Sequence, residues 1–134
     1  AVVGIHDGAL PFAAPALFDA VVSAARRHDA AIAAVPVVDT LKRALDGLVL
    51  ETVDREGLWA AQTPQAFAKA RLSAAFAFAA VRGIEVTDEA RLFELMGEPV
   101  ALVTGSAGNI KITRAEDMAL AESLARTAAG VGGP

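Results

Sequence analysis

Apolar and polar positions alternate in blocks along this chain, and the block edges predict its elements. Ala1 to Ile5 is a short apolar run that stops at His6-Asp7-Gly8. Pro15 suits the first position of a helix, and Leu17, Phe18, Val21 and Val22 recur on one face of a helix running to about His28. Ala30 to Val38 is uninterrupted enough to predict a buried strand. A polar-rich stretch then turns at Asp46-Gly47, a hairpin dipeptide, before the β-prone Leu48 to Val53, so residues 39–59 read as a protruding β-arm.

The second half repeats the alternation. Thr63-Pro64 predicts a helix start, with Phe67, Leu72, Phe76 and Phe78 along the helix and Gly83 ending it. Ile84 to Val86 reads as a minimal strand, and Thr87 as the cap of a helix with Asp88 and Glu89 in its first turn and Gly97 closing it. Val100 to Val103 predicts a strand. Ile110 to Ile112 predicts the last one, and Thr113 with Glu116 reads as a capping box for a helix to about Ala128. Gly130 to Pro134 reads as a frayed tail. Such alternation predicts an α/β fold, a partly parallel sheet covered by helices. Because Ala1 opens what reads as a central strand, residues 1–129 are expected to be one α/β domain forming the C-terminal part of a larger fold.

Composition narrows the class. The 134 residues are 54% apolar and 21% charged, as in a folded protein. Much of the apolar share is alanine, so the expected core rests on Leu17, Phe18, Leu50, Trp59, Phe67, Leu72, Phe76, Leu92, Phe93 and Leu120. A net charge of −4 with dispersed Lys and Arg argues against a nucleic-acid-coating protein. Without cysteine there is no disulfide framework, thiolate metal cage or thiol nucleophile. No apolar run matches a membrane span or a signal peptide, and a cytoplasmic location is the default expectation. His6 and His28 lack metal-ligand spacing and read as structural, and Gly105-Ser106-Ala107-Gly108 reads as a plain loop.

The polar residues cluster at element ends, where α/β proteins bind ligands. They form an ordered series: Asp39-Thr40-Leu41-Lys42-Arg43, Asp54-Arg55-Glu56-Gly57-Leu58-Trp59, Gln62-Thr63-Pro64-Gln65 with Phe67, Thr87-Asp88-Glu89-Ala90, and Asn109-Ile110-Lys111-Ile112-Thr113 with Glu116-Asp117. Taken together these resemble the 2-C-methyl-D-erythritol 4-phosphate cytidylyltransferase family. The resemblance implies a Rossmann-like nucleotidyltransferase fold and a homodimer in which each β-arm reaches the other subunit's active site. It also implies transfer of a cytidylyl group from CTP to a sugar-alcohol phosphate, with Mg²⁺ and release of pyrophosphate, in non-mevalonate isoprenoid synthesis.

By the same resemblance, Arg55 and Lys111 position the acceptor phosphate, Thr40, Thr63 and Thr87 hydrogen-bond the substrate, and Asp7 sits beside its hydroxyls or the metal. Those residue types suit the chemistry. Two anions must meet while charge builds on a leaving pyrophosphate, which calls for fixed cations more than for a covalent nucleophile. The family pattern departs in two places. Its glycine-rich nucleotide loop is absent from these residues, and its His-Asp-x-x-Arg-Pro reads His6-Asp7-Gly8-Ala9-Leu10-Pro11 here, leaving Leu10 where a cation would stand. A ribitol-phosphate cytidylyltransferase and a non-catalytic dimerisation domain therefore stay open as alternatives.

Overall fold

The computed structural model describes residues 1–131, with side chains described through residue 127. Strand β1 (Val2–Ile5) is followed by helix α1 (Pro15–His28), β2 (Ala30–Pro36), the hairpin β3 (Leu41–Leu45) and β4 (Leu48–Val53), and then β5 (Trp59–Ala68). Helices α2 (Lys69–Arg82) and α3 (Ala90–Leu95), strand β6 (Ala101–Thr104) and helix α4 (Ala115–Val131) complete the order. Four strands form one sheet in the order β1-β5-β2-β6. β5 runs antiparallel to both neighbours and β2 pairs with β6 in parallel, so β1, β2 and β6 share a direction.

The strand period of two sorts residues onto the faces of this sheet. On one face Ala30 and Phe67 join Leu72, Ala75 and Ala79 of α2 and Ala90, Leu92 and Phe93 of α3, with the Phe67 and Phe93 rings stacked at 5.1 Å. On the other, Ala31, Ala33 and Ala66 meet Val21, Ala24 and Ala25 of α1. Small side chains on both surfaces let α1 lie close to the strands. Its ends are set locally: Pro15 opens it, Asp29 closes it at φ 70°, and Arg26, Arg27 and His28 face the negative end of its dipole.

Several expectations are corrected. Leu50, Trp59, Phe76 and Leu120 are exposed and do not form core; the first lies on the projecting hairpin and Trp59 at the outer start of β5. Leu17 and Phe18 are half-buried, and alanines take the core positions that size alone assigned to larger residues. The expectation of β1 as a central strand of a larger fold is a different matter: among the described strands its neighbour is β5, at one side of the sheet. Thr63-Pro64 does not start a helix: it lies inside β5, and α2 begins at Lys69. The reason is pairing. Ile32 faces Gln65 and Ala34 faces Ala61, so Gln62, Thr63 and Pro64 lie opposite Ala33 alone in a wide bulge. A bulged residue owes the ladder no N–H, so proline, which has none, is tolerated there.

Residues 84–86 and 110–112 form no strand, though Ile84 and Val86 still pack on the Phe67 face. At α3 the Asp88 carboxylate, not Thr87, accepts the Arg91 N–H at 3.0 Å. At α4, Asp117 replaces Glu116 in the box, its Oδ2 taking the Thr113 hydroxyl at 2.9 Å and the Thr113 and Arg114 amides. That helix continues to Val131, past Gly130, where the tail was expected to begin. The rest of that tail, residues 132–134, lies outside the described residues.

The arm agrees with the sequence. β3 and β4 form a separate two-stranded sheet that turns at Asp46 (φ 51°) and Gly47 (φ 78°), the two left-handed positions a tight hairpin needs. Leu45, Leu48, Val49 and Leu50 all stand exposed on it.

Candidate active site

A cavity of about 380 Å³ opens at the carboxyl end of the parallel strands, where such sheets bind ligands. Asp7 follows β1, Gln62 and Thr63 come from the β5 bulge and Gln65 from just beyond it, Thr87 and Asp88 precede α3, and Asn109 and Lys111 lie after β6. Asp7, Thr63, Thr87 and Lys111 were all predicted from the sequence, and the fold brings them to one cavity. Thr40 and Arg55 are not among its lining residues. They sit at the root of the arm, where the Arg55 guanidinium donates to the Val38 carbonyl.

Asp7 is the hub. Its Oδ1 accepts the Ala9 N–H at 2.9 Å, its Oδ2 pairs with Lys111 Nζ at 3.2 Å, and its own N–H donates to Thr63 Oγ1 at 2.9 Å. The Ala9 amide first, and the Lys111 ammonium second, hold its carboxyl below the ordinary 3.8. Because the folded group binds its proton more weakly than the unfolded one, its contribution to stability is present above that ordinary value and is lost as pH falls through the lowered one. The carboxyl carbon of Asp7, followed by NMR, should titrate below 3.8, and Lys111→Met should move that midpoint back up only part of the way, since the Ala9 contact remains.

Behind the hub lie amides that sequence reasoning missed. Gln65 and Asn109 are 3% and 2% exposed. Asn109 Nδ2 donates to the Thr63 carbonyl at 2.8 Å, and Gln62 Nε2 to the Ser106 carbonyl at 2.9 Å, tying the bulge to the loop after β6. Gly105 makes this approach possible, since a Cβ there would lie 2.3 Å from Gln62 Oε1. Gly105→Ala should push the flexible Gln62 amide aside at a cost of about 1 kcal/mol or less, read as a small drop in denaturant midpoint at unchanged slope. Their only signal in the sequence was membership of the Gln-Thr-Pro-Gln and Asn-x-Lys motifs.

Leu10 lines the cavity at 5% exposure and supplies an apolar wall with Ala60 and Ala61. As for metal, both Asp7 oxygens are already engaged, and no group of three or more His, Asp or Glu that could hold an ion occurs among the described residues. These side chains alone do not build a magnesium site.

Comparison with known proteins decides the family. The family model described as IspD: 2-C-methyl-D-erythritol 4-phosphate cytidylyltransferase matches residues 1–127. The chain belongs to this family. The cytidylyltransferase of Gloeobacter violaceus is 48% identical over 125 residues, covering 92% of this chain and 54% of that protein. A bifunctional enzyme IspD/IspF from Anaeromyxobacter sp. (strain Fw109-5) is 51% identical over 137 residues, covering 98% of this chain and 36% of that protein. The crystal structure of 2-C-methyl-D-erythritol 4-phosphate cytidylyltransferase from Thermus thermophilus superposes with a TM-score of 0.89 at 43% identity, covering 93% of this chain and 62% of that one. The chain thus spans from about a third to just over half of the relatives it matches. The nucleotidyltransferase fold expected from the motifs is the fold of its structural neighbours.

Proposed function

We propose that this chain supplies the acceptor side of a cytidylyltransferase that moves CMP from CTP to 2-C-methyl-D-erythritol 4-phosphate, in the non-mevalonate route to isoprenoids. A phosphate oxygen of the acceptor attacks the α-phosphorus of CTP, the bond to the β-phosphate breaks, and pyrophosphate leaves. The observation that carries this reading is the Asp7–Lys111 pair with Thr63 and Thr87 on one cavity, in a chain of this family. Lys111 Nζ has two N–H donors beyond its Asp7 contact and would take the acceptor phosphate, while Asp7 and the threonines would face the hydroxyls.

Arg55 would complete a partner's site through the arm of a homodimer, which accounts for its distance from this cavity and for the exposed leucines of the arm. Thr40, at the same root, would follow it. Magnesium would travel with the CTP phosphates; no step is assigned to it on these residues. No described helix is long and apolar enough to cross a membrane, and we place the enzyme in the cytoplasm.

The test is release of pyrophosphate from CTP by the longest chain its gene encodes, with methylerythritol phosphate and ribitol phosphate supplied in turn. Turnover with the first at much the higher kcat/KM supports the proposal. Preference for ribitol phosphate would reassign the substrate, and turnover with neither would leave the arm as a dimerisation module only.

A further inference from the structure

His6 reads from the sequence as a structural residue, yet both of its ring nitrogens are engaged at the cavity edge. Nε2 lies 2.8 Å from the Leu10 carbonyl oxygen, and Nδ1 lies 2.9 Å from Thr63 Oγ1. A carbonyl can only accept, so Nε2 carries the proton. With that one proton on the ring, Nδ1 presents a lone pair and the Thr63 hydroxyl donates to it. The same hydroxyl oxygen accepts the Asp7 N–H. Its one hydrogen is therefore committed to His6, one lone pair is committed to Asp7, and a single lone pair is left for the cavity that Thr63 lines. The Phe18 ring, edge-on to the imidazole with centroids 4.9 Å apart, backs the ring plane.

We propose that His6 is a positioning residue that fixes Thr63 as a hydrogen-bond acceptor, so that this point of the cavity takes a hydroxyl of the acceptor substrate and turns away its phosphate. An ionised phosphate oxygen cannot donate and gains nothing from a bare lone pair; a carbinol O–H can. Asp7, beside Thr63, is likewise an acceptor, whereas Lys111 is a donor only. The cavity thus has a polarity that orients a polyol phosphate, hydroxyls toward Asp7 and Thr63 and the phosphate toward the cations. This assignment rests on the proposed function for the identity of the ligand, but not for the state of the ring.

Two measurements test it. On the present chain, long-range ¹⁵N–¹H correlation of the histidine rings should show His6 as the Nε2–H tautomer with an unprotonated Nδ1, the signals being assigned with His28→Gln. A proton on Nδ1 would overturn the proposal whatever the enzyme catalyses. In the longest encoded chain, His6→Phe keeps the ring against Phe18 but frees the Thr63 hydroxyl. It should raise the KM for methylerythritol phosphate about 2–10-fold, with kcat and the KM for CTP held within about twofold. His6→Asn, whose amide oxygen can stand where Nδ1 stood, should recover most of that loss. An unchanged KM in His6→Phe, a general loss in which kcat falls and both KM values rise together, or no recovery in His6→Asn would each refute it. Failure of the unsubstituted enzyme to use CTP would sink the proposed function alone, with the tautomer still decided by the spectrum.

Discussion

Replacing Lys111 with alanine is expected to lower kcat/KM for the acceptor about 10²–10³-fold, the loss typical of removing one fixed donor from a site where charge develops. Two features of the site make the effect large. The ammonium is held at 3.2 Å by Asp7, so its position is set before substrate arrives, and Asp7 is in turn fixed by the Ala9 and Thr63 contacts. Removing Lys111 also leaves the Asp7 carboxylate uncompensated where a phosphate must dock, adding repulsion to the missing attraction. Lys111→Arg should recover only part of the rate, since a planar fork does not replace a point charge. Initial rates of pyrophosphate release at varied acceptor concentration check this. An alanine variant within about threefold of the parent would remove Lys111 from the phosphate site.

Arg55→Ala is expected to cost a similar factor, but its distinctive consequence lies in mixed assemblies. If Arg55 serves the partner's cavity, a dimer of one Arg55→Ala chain and one Lys111→Ala chain has one site lacking both cations and one site with both intact. Random pairing of equal amounts makes half the dimers mixed, so about a quarter of parental activity should return on co-refolding two nearly inactive proteins. No recovery above the sum of the separate variants would place Arg55 in its own chain's site or in none.

Legibility from the sequence followed the range of the interactions that decide each element. α1 was readable to its ends because Pro15 and the spacing of Val21 and its neighbours are local signals, and the hairpin was readable because Asp46-Gly47 admits the left-handed backbone. Thr63-Pro64 misled for the converse reason. The dipeptide suits a helix start, and only pairing with two strands more than twenty residues away makes it a bulge. The core was misread by size: alanines at positions 24, 25, 31, 33 and 66 are buried because of what faces them, while Leu50 and Leu120 are left exposed by the described residues. For the site, motif resemblance brought Asp7, Thr63, Thr87 and Lys111 forward. His6 was passed over because a search for metal-ligand spacing does not register a ring whose partners are a hydroxyl and a carbonyl.

The bulge in β5 also constrains how its length can change. Three residues opposite one is a surplus of two, an even number, so the in-and-out alternation before Gln62 stays in phase with that after Pro64. Losing or gaining a single residue there would invert one side relative to the other, turning either the Phe67 side chain out of the core or the residues before Gln62 onto the opposite faces of the sheet. Homologous strands should therefore differ in length at this point by two residues or by none.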